Sequence, residues 1–330
     1  MLIKIKSWIE KVKYLMVPTL GEESVRPVSV IKHCIGVVKC RILYGSGIDD
    51  YFELRLFEKK HSVRKTYFTS KDARRFLFLV NGIENSLKFC DKIYMYQVLG
   101  RFLKREQLFC PPQSFNEFEE FIRRHGTVIY KKNNSYNGTG IERWSANGTD
   151  IRKLYEIARN ESAILDEPVI QHPDIARLNP DSVNTVRIYT MKIKDTCHII
   201  AAELRMGRAG QLIDNIEKGG LYAAVDLNTG AIPDAAYDLW RNKYTVHPDT
   251  GVEIAGFILP NWAEVLRFTE ECAHACPLVA AEWDIAVREN DCVLIEANAN
   301  VRNCEIQMGA SHGRKKQFKD LEKLYFQSLS

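Results

Sequence analysis

The sequence has no apolar run close to the roughly 20 residues that cross a bilayer, which excludes a spanning helix. No secretory leader pattern is visible. Strong charge of either sign is also missing. Lys and Arg number 46 against 42 Asp and Glu, and the resulting +4 is too mild to argue for nucleic acid. There is no internal repeat and no low-complexity stretch. The Gly-x-x-x-x-Gly-Lys phosphate loop and the His-Glu-x-x-His zinc pattern are both lacking, and the eight histidines show no metal spacing. Nine cysteines are scattered, and only Cys272 and Cys276 lie four apart, in a helical pattern with no second pair. That odd, scattered set suggests no disulfide framework and leaves no zinc signature. Reduced thiols filling the core of a cytoplasmic protein are the expectation.

What is present is an ordinary globular composition, 45% apolar and 27% charged over 330 residues. It suffices for two or three lobes. Residues 1–84 read as a mainly helical region, broken at Gly45-Ser46-Gly47 and at Asn81-Gly82. At its start Leu2, Ile5, Trp8, Ile9, Val12, Leu15 and Met16 recur at helical spacing, with Lys4, Lys6, Lys11 and Lys13 between them. Such a helix either docks on its own domain or lies on the inner face of an anionic membrane through residues 1–17.

From residue 85 the rhythm changes. Asp91 starts a helix to Leu103, Ser114 caps a second that ends near His125, and Asp150 caps a third to Arg159. Thr127–Lys131, Ile141–Trp144 and Ala163–Asp166 read as strands. Further strands are expected at Thr185–Lys192, His198–Arg205, Leu221–Asp226, Ala280–Val287 and Val293–Asn298, with a helix over Asn261–Cys276. The fold class is α/β (α+β), with lobes over 85–170 and 171–330.

Three groups carry chemistry. Lys131 ends a strand and runs into Lys132-Asn133-Asn134-Ser135-Tyr136-Asn137-Gly138-Thr139-Gly140. A point cation followed by closely approachable backbone N–H groups suits phosphate oxygens; an ordinary Gly-rich hairpin reads the same. Asp284, Glu296 and Asn298 fall on two strands joined by a polar turn, with Glu296 and Asn298 on one face. Asp284 opposes Glu296 if that turn has an odd number of residues. Three hard oxygen ligands suit magnesium; a polar hairpin face meeting water is the alternative. Asp91-Lys92 at a helix start is the third.

In this order the pieces resemble the ATP-grasp superfamily from about residue 85 onward. Cys90-Asp91-Lys92 is similar to its Asn-Asp-Lys start, and Thr127–Lys131 to its strand ending in a phosphate-binding lysine. Ile164–Ile170 is similar to its interlobe hinge, and Ile295-Glu296-Ala297-Asn298 to its Glu-x-Asn magnesium motif. Gln171-His172-Pro173, the run from Ser182 to Arg187, Glu203–Gly207, Asp214-Asn215, Gly219-Gly220 and Trp283-Asp284 resemble the sugar-transfer-associated and teichuronopeptide-synthesis branches.

The resemblance implies two lobes clamping ATP. Lys92, Lys131, Ser135, Gly138 and Gly140 would hold phosphates; Glu167, Val169, Ile170 and His172 would hold adenosine. Asp284, Glu296 and Asn298 would bind Mg2+. Arg187 or Arg205 would steady a developing oxyanion, and Asn184, Asn215, Gly219 and Gly220 would shape the substrate side. It departs at Lys132, where relatives often have proline, and at Glu282, where some ligases carry arginine. The implied activity is a carboxylate–amine ligase acting through an acyl phosphate, attaching an amino acid or amine to a uronic acid of a cell-surface polysaccharide such as a capsule. A kinase on the same fold and a non-catalytic nucleotide-binding scaffold are the alternatives.

Overall fold

The computed structural model describes residues 2–112, 114–133, 135, 139–147, 149–299, 305–307 and 312–329. The first elements are helices: α1 (Leu2–Leu20), α2 (Pro27–Tyr44), α3 (Ile48–Glu53), α4 (His61–Arg64), α5 (Ser70–Asn81), α6 (Ile83–Lys88) and α7 (Lys92–Leu103). A small lobe follows with β1 (Gln107–Phe109), α8 (Phe115–His125), β2 (Thr127–Lys131), β3 (Ile141–Ser145), α9 (Ile151–Asn160) and β4 (Ile164–Asp166). The rest comprises α10 (Pro173–Ala176), β5 (Val186–Ile193), β6 (Thr196–Met206), β7 (Leu221–Val225), β8 (Ala236–Tyr237), β9 (Lys243–Tyr244), α11 (Trp262–Ala275), β10 (Ala280–Val287), β11 (Cys292–Asn298) and α12 (Lys315–Leu329).

The small sheet has the order β1-β4-β2-β3 and the large one β11-β10-β5-β6-β7-β8-β9. Neighbouring strands are antiparallel throughout. Alternation explains why the small sheet has a dry face and a working face. Val128, Tyr130, Trp144 and Leu165 pack under α8 and α9 with Phe118, Ile122 and Leu154. Ile129, Lys131 and Asp166 point the other way, into a cleft. Three side-chain caps set the helices as their sequences predict: Asp91 accepts from Ile93 and Tyr94 N–H, Ser114 from Glu117, and Asp150 from Arg152 and Lys153.

The large sheet is covered on one face by α7 and α11. Tyr96, Leu99, Phe102, Val265 and Phe268 meet Ile188, Leu204, Trp283 and Ile285 there. So α7, which the sequence groups with the small lobe, packs in the core of the large one. The opposite face is half apolar, where Phe68, Phe76 and Phe318 of the α5 and α12 region cover Tyr189, Met191 and Ala280. Helices α1 and α2 add a further core that takes in Ile216 and Tyr222. Val12, Leu15 and Met16 of α1 are buried in it, whereas Ile5 is half exposed. The docked reading therefore describes the inner stripe of α1.

Two details depart from the sequence reading. Residues 107–109 pair with β4 as a full strand. The β10–β11 turn spans residues 288–291, closed by Arg288 N–H donating to Asp291 C=O. Its even length alone would set Asp284 opposite Ile295. A bulge between Asp284 and Ile285 shifts the register, and Asp284 faces Glu296 after all. Among the described residues no helix is long and apolar enough to cross a membrane. The eight described cysteines are unpaired.

Candidate active site

Segment 167–172 carries the chain from the small sheet to the large one. Glu167 N–H donates to Glu106 C=O, and His172 N–H donates to Val287 C=O of β10. Between the sheets lies a cleft of about 370 Å³, a size that suits a small-molecule site.

One wall is cationic. Lys131 is buried, and its Nζ lies 2.7 Å from Asp166 Oδ2 and donates to Tyr96 Oη at 3.0 Å. Arg105 reaches the same carboxylate oxygen at 2.8 Å through Nη2 and donates through Nη1 to Leu294 C=O at 2.6 Å. One side chain thus ties β4 of the small sheet to β11 of the large one. Burial disfavours the Lys131 ammonium, but the Asp166 carboxylate outweighs it and holds the lysine above its ordinary range. Burial likewise opposes charge on Asp166, yet Lys131 and Arg105 keep its carboxyl below the usual value. Asp166 Oδ1 is buried and finds no hydrogen-bond donor among the described residues. Such an atom in a cleft wall suits a donor group on a ligand.

The facing wall is acidic. Glu282 and Asp284 of β10 oppose Asn298 and Glu296 of β11, and Asp284 opposes Arg187 of β5 on its other side. Arg187 grips Asp284 in a fork, Nε to Oδ1 at 2.7 Å and Nη2 to Oδ2 at 2.8 Å. It also lies 3.5 Å from Glu282 and 3.2 Å from Glu305. Arg205 stands 3.5 Å from Asp284 and 3.9 Å from Asp214. Asp214 is fixed by Thr185, whose N–H donates at 2.8 Å. Of the two arginines Arg205 lines the cleft, while Arg187 lies behind Asp284.

The family of sugar-transfer associated ATP-grasp proteins matches residues 72–323. The chain belongs to that family. No curated protein matches it. Among solved structures, an ATP-grasp ligase PsnB complexed with a precursor variant, Mg and ADP superposes with a TM-score of 0.46 at 12% identity. That match covers 76% of this chain and 62% of PsnB, so the chain spans under two thirds of that relative's length. A D-alanine–D-alanine ligase from Bacillus anthracis gives 0.42 at 13% identity, over 78% of this chain and 75% of its own. An L-amino acid ligase from Bacillus licheniformis gives 0.42 at 14%, covering 72% and 47%.

The cleft brings together Lys131, Glu167, Val169, Ile170, Arg205, Asn215, Asp284 and Glu296 from the ATP-grasp site expected by sequence. Lys92 sits beside it, its Nζ donating to Ser135 C=O at 2.6 Å and lying 3.6 Å from Glu296. Ser135 Oγ donates to Lys132 C=O. Gly140 has φ 70° and accepts from Lys132 N–H, a bond that the family's frequent proline could not make. Gly138 lies outside the described residues.

Other expected residues are engaged elsewhere. His172 caps α10, its Nδ1 accepting from Asp174 N–H, and it does not line the cleft. Asn184 is fully buried, its amide donating to Gln171, Ile175 and Asn179 and accepting from Gly207 N–H. It holds the loop entering β5 and has no face toward a substrate. Gly219 lies beside a separate hollow under Trp240. Gly220 must stay bare, because a Cβ would stand 2.7 Å from Asp214 C=O. It shapes the Asp214 loop through its backbone. Arg105, Tyr96, Asp166, Glu203 and Glu305 escaped the sequence reading as site residues. For Arg105 and Asp166 the only available signal was charge at the edge of short apolar strands.

Behind the acidic wall, Tyr189 Oη donates to Glu203 at 3.3 Å and to Glu305 at 3.4 Å. Burial, and next the Glu305 charge, push Glu203 well above the ordinary carboxyl range. The folded state therefore keeps a proton that the unfolded chain has lost above about pH 4.5. Stability should fall as pH rises from there through the folded value. Glu203→Gln should flatten that fall, and urea midpoints between about pH 5 and pH 8 would read it; an unchanged slope would place the proton elsewhere.

Proposed function

We propose that the chain is an ATP-dependent carboxylate–amine ligase. The observation that carries this reading is one cleft with buried cations on one wall and paired carboxylates with Arg205 on the other. Lys131 and Arg105 offer positive charge to phosphate oxygens, and Lys92 adds another at the mouth. Asp284 and Glu296, opposed in register, fit Mg2+ as hard oxygen donors; Asn298, two residues on, completes the candidate set. Bound there, magnesium would supply charge neutralisation to the transferring phosphoryl group. Asp166 Oδ1 offers an acceptor to the nucleotide, and Glu167, Val169 and Ile170 line its path.

The residues then divide the work. Arg187 holds Asp284 in place. To Arg205, which lines the cleft beside Asp214 and Asp284, we assign the substrate carboxylate and the oxyanion that forms from it. The carboxylate oxygen takes the γ-phosphoryl group, giving acyl phosphate and ADP. An amine attacks the acyl carbon, phosphate leaves, and the amine's proton passes to solvent or phosphate. Within the family the substrate class we favour is a uronic acid of a cell-surface polysaccharide.

ADP release with a panel of uronic acids and amines, followed by mass spectrometry, tests the reading. Amine-dependent condensation with loss of water is expected. A phosphorylated product formed without amine would establish a kinase instead, and nucleotide binding without turnover across the panel would favour a scaffold.

A further inference from the structure

Helix α2 carries two apolar stripes on opposite sides. Val30, His33, Val37, Cys40 and Tyr44 are buried against α1 and α3 and their neighbours. The other stripe, Val28, Ile31, Ile35, Val38 and Ile42, follows the same 3–4 spacing and faces solvent, with exposures from 46% at Val38 to 81% at Val28. Nothing in this chain's described residues covers it. An apolar seam of this regularity on a surface marks a contact, since singly scattered exposed side chains do not align.

The charge around the stripe selects the occupant. Lys32 and Lys39 flank it and are exposed, Arg41 lies close by, and α2 contains no Asp or Glu. Residues 1–44 hold eight Lys and Arg against three Glu, a balance of +5 where the whole chain carries +4. The remainder is thus near neutral, and the basic excess sits on the segment that bears the seam. A second copy of α2 would bring only more cations to these lysines, in either orientation. An anionic lipid surface supplies what they lack, and it accepts an apolar stripe at the depth of the acyl chains. Lysine stems beside such a stripe can lie along it with their ammonium groups at the headgroups. The helix is already formed and its inner face is anchored, so docking does not require it to fold first.

We infer that the outer face of α2 seats this protein on anionic membrane, lying in the interface without spanning it. The full chain should co-sediment with phosphatidylcholine vesicles that contain phosphatidylglycerol, and added salt should release it. Lys32→Gln with Lys39→Gln should weaken binding roughly thirtyfold, at about 1 kcal/mol per lysine. Ile35→Ser with Val38→Ser should abolish it while the thermal unfolding midpoint stays near that of the parent. Equal binding to pure phosphatidylcholine, or none to either vesicle, would overturn the inference. So would a dimer by sedimentation velocity that the serine pair dissolves, because the seam would then serve a second copy.

Discussion

Glu296→Gln should lower the rate of ADP formation by about 10²–10³-fold, the scale seen when one preorganised charge contact is removed. The substitution deletes a charge and keeps the shape. Glu296 is about one third exposed, and its nearest cation, Lys92, is 3.6 Å away with Ser135 C=O as a second partner. The fold therefore loses little when the charge goes, and circular dichroism and unfolding should match the parent. If Glu296 holds magnesium, excess Mg2+ should restore part of the rate. Full turnover in this variant would remove Glu296 from the metal site.

Asp166→Asn should act on stability. Its carboxylate lies between two buried cations, Lys131 at 2.7 Å and Arg105 at 2.8 Å. Asparagine fills the same space but leaves both charges without a counter-ion. Breaking a buried pair in this way costs about 3–5 kcal/mol, a large share of a typical domain's stability. The carboxyl sits below its ordinary value in the folded state. Its contribution is therefore present above the unfolded value of 3.8 and is lost as pH falls through the folded one. Urea unfolding at neutral pH measures the effect; a loss under about 1 kcal/mol would mean that the two cations are not compensated by this group.

The sequence made the strands and helices around the cleft readable because each is short, patterned and capped. Thr127–Lys131 is a β-branched and aromatic run, and Asp91, Ser114 and Asp150 announce the helices they cap. Asp284 and Glu296 stood out because charge interrupts an apolar run on two adjoining strands. Their facing positions rest on a bulge that no local pattern betrays. The cluster around Asp166 was hidden for another reason. Tyr96 comes from α7, Arg105 from the segment that follows it, Lys131 from β2 and Asp166 from β4, and only the fold brings the four side chains together. Likewise the family resemblance offers Arg187 for an oxyanion as readily as Arg205. Its fork on Asp284, seen in the fold, places it as the holder of the acidic residue.

On the proposed function this cleft binds magnesium and ATP, with the phosphates against Lys131 and the metal on the β10–β11 hairpin. A crystal structure with Mg2+ and a non-hydrolysable ATP analogue tests it most directly. Lys131 Nζ should then lie within about 3 Å of a phosphate oxygen, a hydrogen-bond distance, and the metal within about 2.0–2.1 Å of Asp284 and Glu296 oxygens. A nucleotide bound outside the cleft, or a metal held without either carboxylate, would contradict it.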